Sequence, residues 1–295
     1  MSDALVRATG KLTRRLPATG VEQVLRRLYP PERPRKGVEA TFPIGDRLVF
    51  RANTASFIEW RIFFFGGYEP EVAAFLPHAL RPGRSAVDVG AHAGIHTVRM
   101  ARLAAPGLVV ACEPNPSTFE RLARNIELNG LTNIRACQLA LLDVERDGAL
   151  YVPRPGFESN EGASTLSRHL TDSPRVTSVQ VQATTLDELT ASLGVEDIDV
   201  LKIDVEGFEA AVLAGARAVL ERDQPTLIFE CTPSLWEAEG FCLSSLTSYL
   251  RSLGYATDPL SLTPGGLVPA AEGLPRFKNL VVLAPRLARE RGDAP

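Results

Sequence analysis

Residues 87–97 read VDVGAHAGIHT, a short apolar run that two glycines interrupt before helix-compatible sequence begins. This order predicts a strand, a tight loop and the start of a helix. Gly90 and Gly94 lack a Cβ, so the loop can turn sharply and bring its backbone close to a ligand. The N–H groups at the following helix start favour polar or anionic atoms. The pattern alone fits a ligand loop and an ordinary strand-to-helix connection equally well.

The composition limits the class of protein. The chain has 295 residues and a formal net charge of −3, which suits one large α/β domain with appendages and argues against a nucleic-acid partner. No apolar run reaches the roughly 20 residues that span a bilayer, so no integral membrane segment is expected. The first twenty residues lack the apolar core of a secretory leader, and we expect a cytoplasmic location. The four cysteines form no C-x-x-C pair, so neither a disulfide framework nor a zinc site is predicted.

Strand and helix patterns alternate on both sides of the glycine loop. The apolar run at 108–112 is typical of a parallel strand buried on both faces. An amphipathic helix at 117–128 and a third strand at 134–142 follow it. This alternation predicts a parallel sheet with right-handed crossovers. Later runs add two buried strands and a helix at 208–220, and segments 255–257 and 280–283 are expected to form an antiparallel edge.

The remaining segments divide the chain. Residues 1–37 form an arm with nine Lys and Arg residues against three acids, which fits a solvated helix or loose tail, or a membrane-surface or partner-binding element. Residues 38–82 predict a β-hairpin and helix extension, 83–285 the main domain and 286–295 a tail. Within the extension, Pro70 fits the first position of a helix and places Glu69 at the helix start. Within the domain, residues 143–178 are rich in Pro and Gly, which is typical of a lid or substrate loop.

Acidic residues follow several of the predicted strands. Glu113 follows the second strand, Asp204 and Glu206 the fourth, and Glu230 the fifth. Ligands of open α/β sheets bind at the carboxyl ends of the strands. Glu113 lies 19 residues beyond Gly94, a spacing at which an acid can accept both hydroxyls of a ribose. These positions predict a nucleoside cofactor.

Asp88 distinguishes between the possible cofactors. The dinucleotide fingerprint has three glycines, whereas this loop has Gly90 and Gly94 with an acid two residues before the first. A carboxylate there would repel a pyrophosphate and pair with the ammonium of a methionine moiety. S-adenosylmethionine therefore fits better than the nicotinamide cofactor of a dehydrogenase. A turn-capping role for Asp88 is the structural alternative.

Six short blocks share their order and spacing with a known family. They are GYEPE at 67–71, DVGAHAG at 88–94 with Thr97, EPN at 113–115, Asn125 to Gly130, TLD at 185–187, and LKIDVEG at 201–207 with Glu209. Over roughly residues 60–285 the chain resembles the FkbM family of methyltransferases. The resemblance implies a class I, Rossmann-like α/β fold with a seven-stranded sheet, mostly parallel with antiparallel last strands. It also implies methyl transfer from S-adenosylmethionine to a hydroxyl of a sugar or other natural product.

The resemblance also implies roles at the cofactor. Asp88, Gly90 and Gly94 would hold the methionine end, Glu113 the ribose and Asn115 the adenine edge.

Two further positions, Asp143 and His92, are candidates for cofactor contact. Asp143, after the third strand, is a further candidate on the adenine side. His92 stands where the family usually has Asn. It can still donate a hydrogen bond to the cofactor, but its larger ring and its titration near pH 6.5 alter the loop.

Catalysis needs an oxygen held near the methyl group and a base for its proton. Asp204 or Glu206 is the predicted base or orienting residue, and Lys202 can lower a neighbouring pKa. The alternative is that these three residues only fix the strand end. A divalent cation held by Asp204 and Glu230 also stays open.

The acceptor is predicted to be a small hydroxylated molecule, either a sugar or a secondary metabolite. Two other functions stay open. The Lys202, Asp204 and Glu206 set with the basic arm also fits a ribose 2'-O-methyltransferase of RNA, and His92 is the one motive for a non-catalytic S-adenosylmethionine-binding protein. The candidate acceptor contacts are Tyr68, Glu69, Asn160, Ser164 and Glu230.

Overall fold

The computed structural model describes residues 2–16, 18–30, 37–153, 176–238, 240–256, 258–270 and 278–291. Two predicted acceptor contacts, Asn160 and Ser164, lie outside the described residues. None of the described helices is both long and apolar enough to cross a membrane.

The described residues form twelve helices and thirteen strands. The helices are α1 (Asp3–Thr13), α2 (Ala18–Leu28), α3 (Phe57–Phe65), α4 (Pro70–Ala79), α5 (Ile95–Ala104), α6 (Pro116–Leu128), α7 (Leu186–Leu193), α8 (Glu209–Ala214), α9 (Arg217–Asp223), α10 (Pro233–Ala238), α11 (Leu243–Ser252) and α12 (Pro285–Arg291). The strands are β1 (Glu39–Gly45), β2 (Leu48–Asn53), β3 (Ser85–Val89), β4 (Val109–Cys112), β5 (Ile134–Cys137), β6 (Ala140–Leu141), β7 (Arg146–Pro153), β8 (Val176–Thr184), β9 (Ile198–Ile203), β10 (Thr226–Cys231), β11 (Leu260–Thr263), β12 (Gly266–Pro269) and β13 (Lys278–Val282).

The central sheet has the strand order β12-β11-β13-β10-β9-β3-β4-β5. Neighbouring strands from β5 to β10 are parallel, whereas β13 is antiparallel to both β10 and β11. The predicted Rossmann-like fold class is confirmed. Among the described residues this sheet has eight strands where seven were predicted, and β12 pairs with β11 as a hairpin.

Three predicted elements differ from the structure. The strand expected at 134–142 is split into β5 and β6, and β6 joins β8 and β7 in a separate three-stranded sheet. The helix expected from Phe208 is split into α8 and α9 at Gly215, where a Cβ would lie 2.0 Å from the Leu142 carbonyl oxygen. Of the edge strand expected at 255–257, residues 255–256 are not in a strand and residue 257 lies outside the described residues. The Tyr255 side chain is buried, and its hydroxyl donates to the Pro225 carbonyl at 2.9 Å.

The hairpin of β1 and β2 packs beside the main sheet through α6. The side chain of Asn125 accepts from the Arg51 N–H at 2.8 Å, and that of Asn129 accepts from the Val49 N–H at 2.8 Å. Both amides also donate to backbone carbonyls of the hairpin. Two asparagines in the family blocks therefore hold the extension in place. The extension continues through α3, which ends at Gly66, into the loop before α4.

Candidate cofactor and acceptor site

The glycine loop is tied to strands on both sides of it. The N–H groups of Gly90 and Ala91 both donate to the Cys112 carbonyl at 2.9 Å. Gly90 has φ +77°, and a Cβ there would lie 1.9 Å from the Asp204 carbonyl oxygen. Gly94 has φ +89°, and a Cβ would lie 2.6 Å from a methyl carbon of Leu122. Both positions therefore require glycine because of backbone conformation and close approach.

Asp88 is a buried carboxylate with only one engaged oxygen. Its side chain lies on β3 and is 1% exposed. The Thr97 hydroxyl donates to Oδ2 at 2.6 Å, whereas Oδ1 has no partner among the described residues. The donor that holds Asp88 is a side chain of α5, which does not support the turn-capping alternative. A buried acceptor without a partner is costly, and this oxygen marks a place for a ligand donor.

Glu113 is held at the end of β4 by two backbone donors. The N–H of His92 donates to Oε2 at 2.9 Å and the N–H of Asn115 to Oε1 at 2.9 Å. Burial raises the pKa of Glu113 to about 7, although these hydrogen bonds oppose the rise. Each oxygen keeps a second lone pair. The carboxylate thus keeps lone pairs for both hydroxyls of a ribose, and its contact with a ribose stays a prediction.

Asn115 has two functions at the start of α6. Its side-chain oxygen accepts from the Ser117 N–H at 3.1 Å and caps the helix. Its Nδ2 is buried without a partner among the described residues. The predicted contact of Asn115 with the adenine edge is compatible with this spare donor. Asp143 lies beyond β6 in an exposed position, and its adenine-side role remains a prediction.

His92 differs from the expectation that it titrates near pH 6.5. Burial, with the charges of Arg121 and Lys202, lowers its pKa to about 3, so the ring is neutral at physiological pH. Its φ of +49° lies in the left-handed region, which Asn adopts more readily than most residues. The ring atom Nε2 is buried without a partner among the described residues.

Lys202 lies among the carboxylates at the end of β9. Its Nζ is 3.2 Å from Asp204 Oδ2 and 4.0 Å from Glu69 Oε2. Burial opposes its charge, but Asp204, Glu69 and Asp88 outweigh this effect and raise the pKa of Lys202. Lys202 was expected to lower a neighbouring pKa. It does act in that direction on Asp204, but burial outweighs it and the pKa of Asp204 is raised.

The Glu69 carboxylate contacts side chains from two distant elements, β13 and α5. The Asn279 amide of β13 donates to Oε1 at 2.6 Å, and His96 Nε2 lies 3.0 Å from Oε2. Glu69 precedes Pro70 at the start of α4, as predicted, but it has φ +43° and makes no capping hydrogen bond. Burial opposes ionisation, yet Lys202 and the His96 hydrogen bond lower the pKa of Glu69 to about 2. Its carboxylate is thus directed at the site and away from the helix N–H groups.

Three carboxylates gather beyond Lys202. Oxygens of Asp204, Glu206 and Glu230 lie within 4.8 Å of one another, a set that could hold a divalent cation as well as a hydroxylated ligand. Burial, followed by repulsion from Asp204, raises the pKa of Glu206 to about 8 and that of Glu230 to about 9. Burial and the nearby carboxylates, Glu69 first, also raise the pKa of Tyr68. The acceptor contacts predicted at Tyr68 and Glu230 are thus near the predicted base.

Two residues that shape the site, Glu209 and Asn279, were not predicted as site residues. Glu209 accepts from the N–H groups of Val205 and Gly207 at 3.1 and 3.2 Å and from Trp236 Nε1 at 2.7 Å. It therefore shapes the loop that carries Glu206. Its place in the 201–209 block was a signal. Asn279 gave no signal, because nothing local distinguishes it from other strand asparagines.

The chain is similar to known methyltransferases. Residues 88–256 match a family model described as the methyltransferase FkbM domain. The sequence is 28% identical to Methyltransferase 1 of Beauveria bassiana over 182 residues, 58% of this chain and 71% of that protein. It is 27% identical to Methyltransferase sdnD of Sordaria araneosa over 181 residues, 52% and 67% of the two chains. A crystal structure of an FkbM methyltransferase from Methylobacillus flagellatus aligns with TM-score 0.42 and 15% identity, over 77% of this chain and 52% of that one. This chain thus spans about half the length of the M. flagellatus protein.

Proposed function

Because the chain belongs to the FkbM family of methyltransferases, we propose that it is an S-adenosylmethionine-dependent O-methyltransferase. The proposed acceptor is a hydroxyl of a sugar or natural-product-type small molecule. One observation carries the proposal: Asp88 is buried, receives a hydrogen bond from Thr97 at one oxygen and leaves the other without a partner in the part of the chain that the structure describes. An ammonium group supplies the donor that this oxygen lacks.

The residues at the loop fit the rest of the cofactor. S-adenosylmethionine, when bound, supplies a methyl group on a sulfonium. Asp88 would hold its ammonium, and the backbone of Gly90 and Gly94 would lie against its methionine part. Glu113 would accept the ribose hydroxyls, and those donors would favour its charged form. The Nδ2 of Asn115 would donate to the adenine edge.

Asp204 is the proposed general base. The Lys202 ammonium holds one of its oxygens at 3.2 Å, and the other can accept the proton of an acceptor hydroxyl. As the bond between the acceptor oxygen and the methyl carbon forms, the bond between that carbon and the sulfonium sulfur would break, which leaves S-adenosylhomocysteine. The hydroxyl proton would pass to Asp204. Burial raises the pKa of Asp204, which makes the carboxylate a stronger base than one in water. The positive charge of Lys202 opposes this rise in the pKa of Asp204 and favours the ionised form, which is the form that accepts a proton.

Glu69 would position the base through Lys202. Its carboxylate lies 4.0 Å from the Lys202 ammonium and accepts from Asn279. His96 contacts the same carboxylate oxygen as Lys202 does. Because both oxygens of Glu69 are engaged with protein groups, we assign it to holding Lys202 instead of to the predicted direct contact with acceptor. This arrangement fixes the ammonium between two carboxylates.

The acceptor class is supported by the carboxylates around Asp204. Glu206 and Glu230 offer hydrogen-bond acceptors close to the proposed base. With pKa values raised to about 8 and 9, Glu206 and Glu230 hold their protons at neutral pH, so each can both donate to and accept from a hydroxyl. A molecule with several hydroxyls can pair with such a set. An anionic acceptor would place a further negative charge beside Asp204 and favour the charged form of neither glutamate. A polyhydroxylated neutral molecule therefore suits this wall better than a phosphate-bearing one.

Calorimetry with S-adenosylmethionine and S-adenosylhomocysteine tests the cofactor part of the proposal. We expect both to bind the wild type, and the absence of binding would overturn the proposal. A panel of sugars and hydroxylated metabolites, assayed by S-adenosylhomocysteine release, tests the acceptor. Methyl transfer to a ribose of RNA, without transfer to any member of the panel, would show that the acceptor is RNA and not a small molecule. Cofactor binding without transfer to any acceptor would favour the non-catalytic alternative.

A further inference from the structure

The two N-terminal helices expose apolar side chains that the fold does not use. Eight large hydrophobic side chains are exposed among the residues that the structure describes, and five of these belong to the short stretch before residue 29. Their exposed fractions are 45–61%, and they are Leu5, Leu12, Leu16, Val24 and Leu28.

Packing of the inner helix faces does not require these side chains. On α1, the inner face holds Gly10 against the ring of Phe63, and the Thr13 hydroxyl donates to the Phe64 carbonyl at 2.7 Å. On α2, Tyr29 just beyond the helix end is buried, and its carbonyl accepts from Trp60 Nε1 at 2.9 Å. Both helices thus pack on the aromatic residues of α3. Their outer apolar side chains face away from that shared core.

The same surface is positively charged. Four cationic side chains of these helices and the turn after α1 are exposed, against one exposed acid, Asp3. The second acid, Glu22, is paired with Arg26 at 3.1 Å and with Arg61 at 2.6 Å. The exposed cations are Arg7, Lys11, Arg15 and Arg27.

We propose that the outer faces of α1 and α2 dock the protein on an anionic phospholipid bilayer. Apolar side chains would enter the boundary between headgroups and acyl chains while the cations pair with lipid phosphates, as in other interfacial amphipathic helices. A second copy of this chain would bring two cationic surfaces together, which repel. RNA would pair with the cations but leave the leucines in water. The anionic bilayer is the partner that satisfies both features.

Vesicle co-sedimentation of the full chain tests the proposal. We expect binding to vesicles of phosphatidylcholine with 30% phosphatidylglycerol to be at least tenfold tighter than to phosphatidylcholine alone. L5E/L12E should weaken that binding at least tenfold, because both side chains are exposed on one side of α1, two helical turns apart. K11E/R15E, or 0.5 M NaCl, should weaken it by a similar factor. V268E is the matched control, because Val268 on β12 is 43% exposed and should leave binding unchanged.

Several outcomes would overturn the proposal. They are the absence of wild-type binding to anionic vesicles, and binding that L5E/L12E leaves intact. Self-association that L5E/L12E abolishes, without vesicle binding, would assign the surface to a second copy. Binding of single-stranded RNA without vesicle binding would assign it to nucleic acid. Circular dichroism and melting of each variant show whether the fold is retained. Neither the binding assay nor its controls depend on the proposed methyl transfer.

Discussion

The carboxylates on the two sides of the site are stabilised differently. On the proposed cofactor side, Asp88 and Glu113 receive hydrogen bonds from Thr97 and from loop N–H groups. On the acceptor side, Asp204, Glu206 and Glu230 lie within 4.8 Å of one another, and repulsion adds to burial in raising the pKa of the two glutamates. The cofactor side is thus organised before a ligand binds. On the proposed acceptor side, the hydroxyl groups of a ligand would supply hydrogen-bond partners for these closely spaced carboxyl groups.

The largest expected effect is on the acceptor side, with D204N. Removing the proposed base should lower kcat by about 10²- to 10⁴-fold, the usual contribution of general base catalysis. The dissociation constant of S-adenosylmethionine should change little, because Asp204 is not assigned to the cofactor. Steady-state kinetics and calorimetry measure the two quantities. An equal loss of cofactor affinity would contradict the division between the two sides.

G90A should affect both sides at once. A Cβ would lie 1.9 Å from the Asp204 carbonyl oxygen, at a φ that L-residues rarely adopt. We expect the free energy of unfolding to fall by about 3 kcal/mol or more, from strain and overpacking together. G83A is the control, because Gly83 has a similar φ of +82° and no described residue lies within 4 Å of the added Cβ. Urea denaturation compares them, and equal losses would show that the close approach carries no cost.

D88N probes the cofactor side alone. The amide keeps the shape but loses the charge that would pair with an ammonium. Hydrogen bonds to charged groups contribute about 1.5–3 kcal/mol, so the dissociation constant of S-adenosylmethionine should rise about 10- to 150-fold. At saturating cofactor, kcat should stay near the wild-type value. A normal affinity measured by calorimetry would remove Asp88 from the cofactor site.

E230Q tests the repulsion on the acceptor side through pH. The pKa of Glu230 is raised to about 9 from 4.5. Between these values the folded protein holds a proton that the unfolded chain has released, so the stability of the wild type falls as pH rises. E230Q should raise the melting temperature at pH 9 by about 2–4 °C, equivalent to about 1 kcal/mol, and change it little at pH 4. The exposed Glu237 offers the control E237Q. If the melting temperatures of E230Q and the wild type changed in parallel with pH, the interpretation would be wrong.

H92N should have the smallest effect. Asn and His are both among the residues that adopt a positive φ most often, so Asn fits the φ of +49° at this position. The His92 N–H that donates to Glu113 belongs to the backbone. We expect cofactor affinity within about threefold of the wild type, equivalent to about 0.6 kcal/mol. Because the ring is neutral down to about pH 3, the pH profile of binding should be unchanged. A shift of that profile near pH 6.5 would show that His92 titrates after all.

The sequence predicted the cofactor side better than the acceptor side. The parallel strands, the turns at Gly90 and Gly94 and the acid at Glu113 follow from local patterns, because short-range sterics and burial determine them. The fold class and family could be inferred from the same patterns. The split of the third strand could not, since it depends on pairing with β8.

The acceptor side depends on contacts between distant segments. Pro70 correctly located the start of α4, but no local pattern shows that Glu69 meets Asn279. The balance of burial and charge at Asp204 was also inaccessible, because it depends on how many carboxylates the fold brings together. The effect of Lys202 on the pKa of Asp204 was therefore predicted with the right sign, but the net change in that pKa is an increase.

The hydrogen bond between Glu69 and Asn279 joins residues 210 positions apart in the chain. During synthesis, the strands and loop of the cofactor side leave the ribosome long before β13 does. Domains can begin to fold as they emerge, whereas this contact must wait for the last strand. The nascent chain therefore reaches the stage at which Asp88 and Glu113 are available before Glu69 has its strand partner. The contact that we propose holds Glu69 beside Lys202 therefore forms only after β13 has emerged.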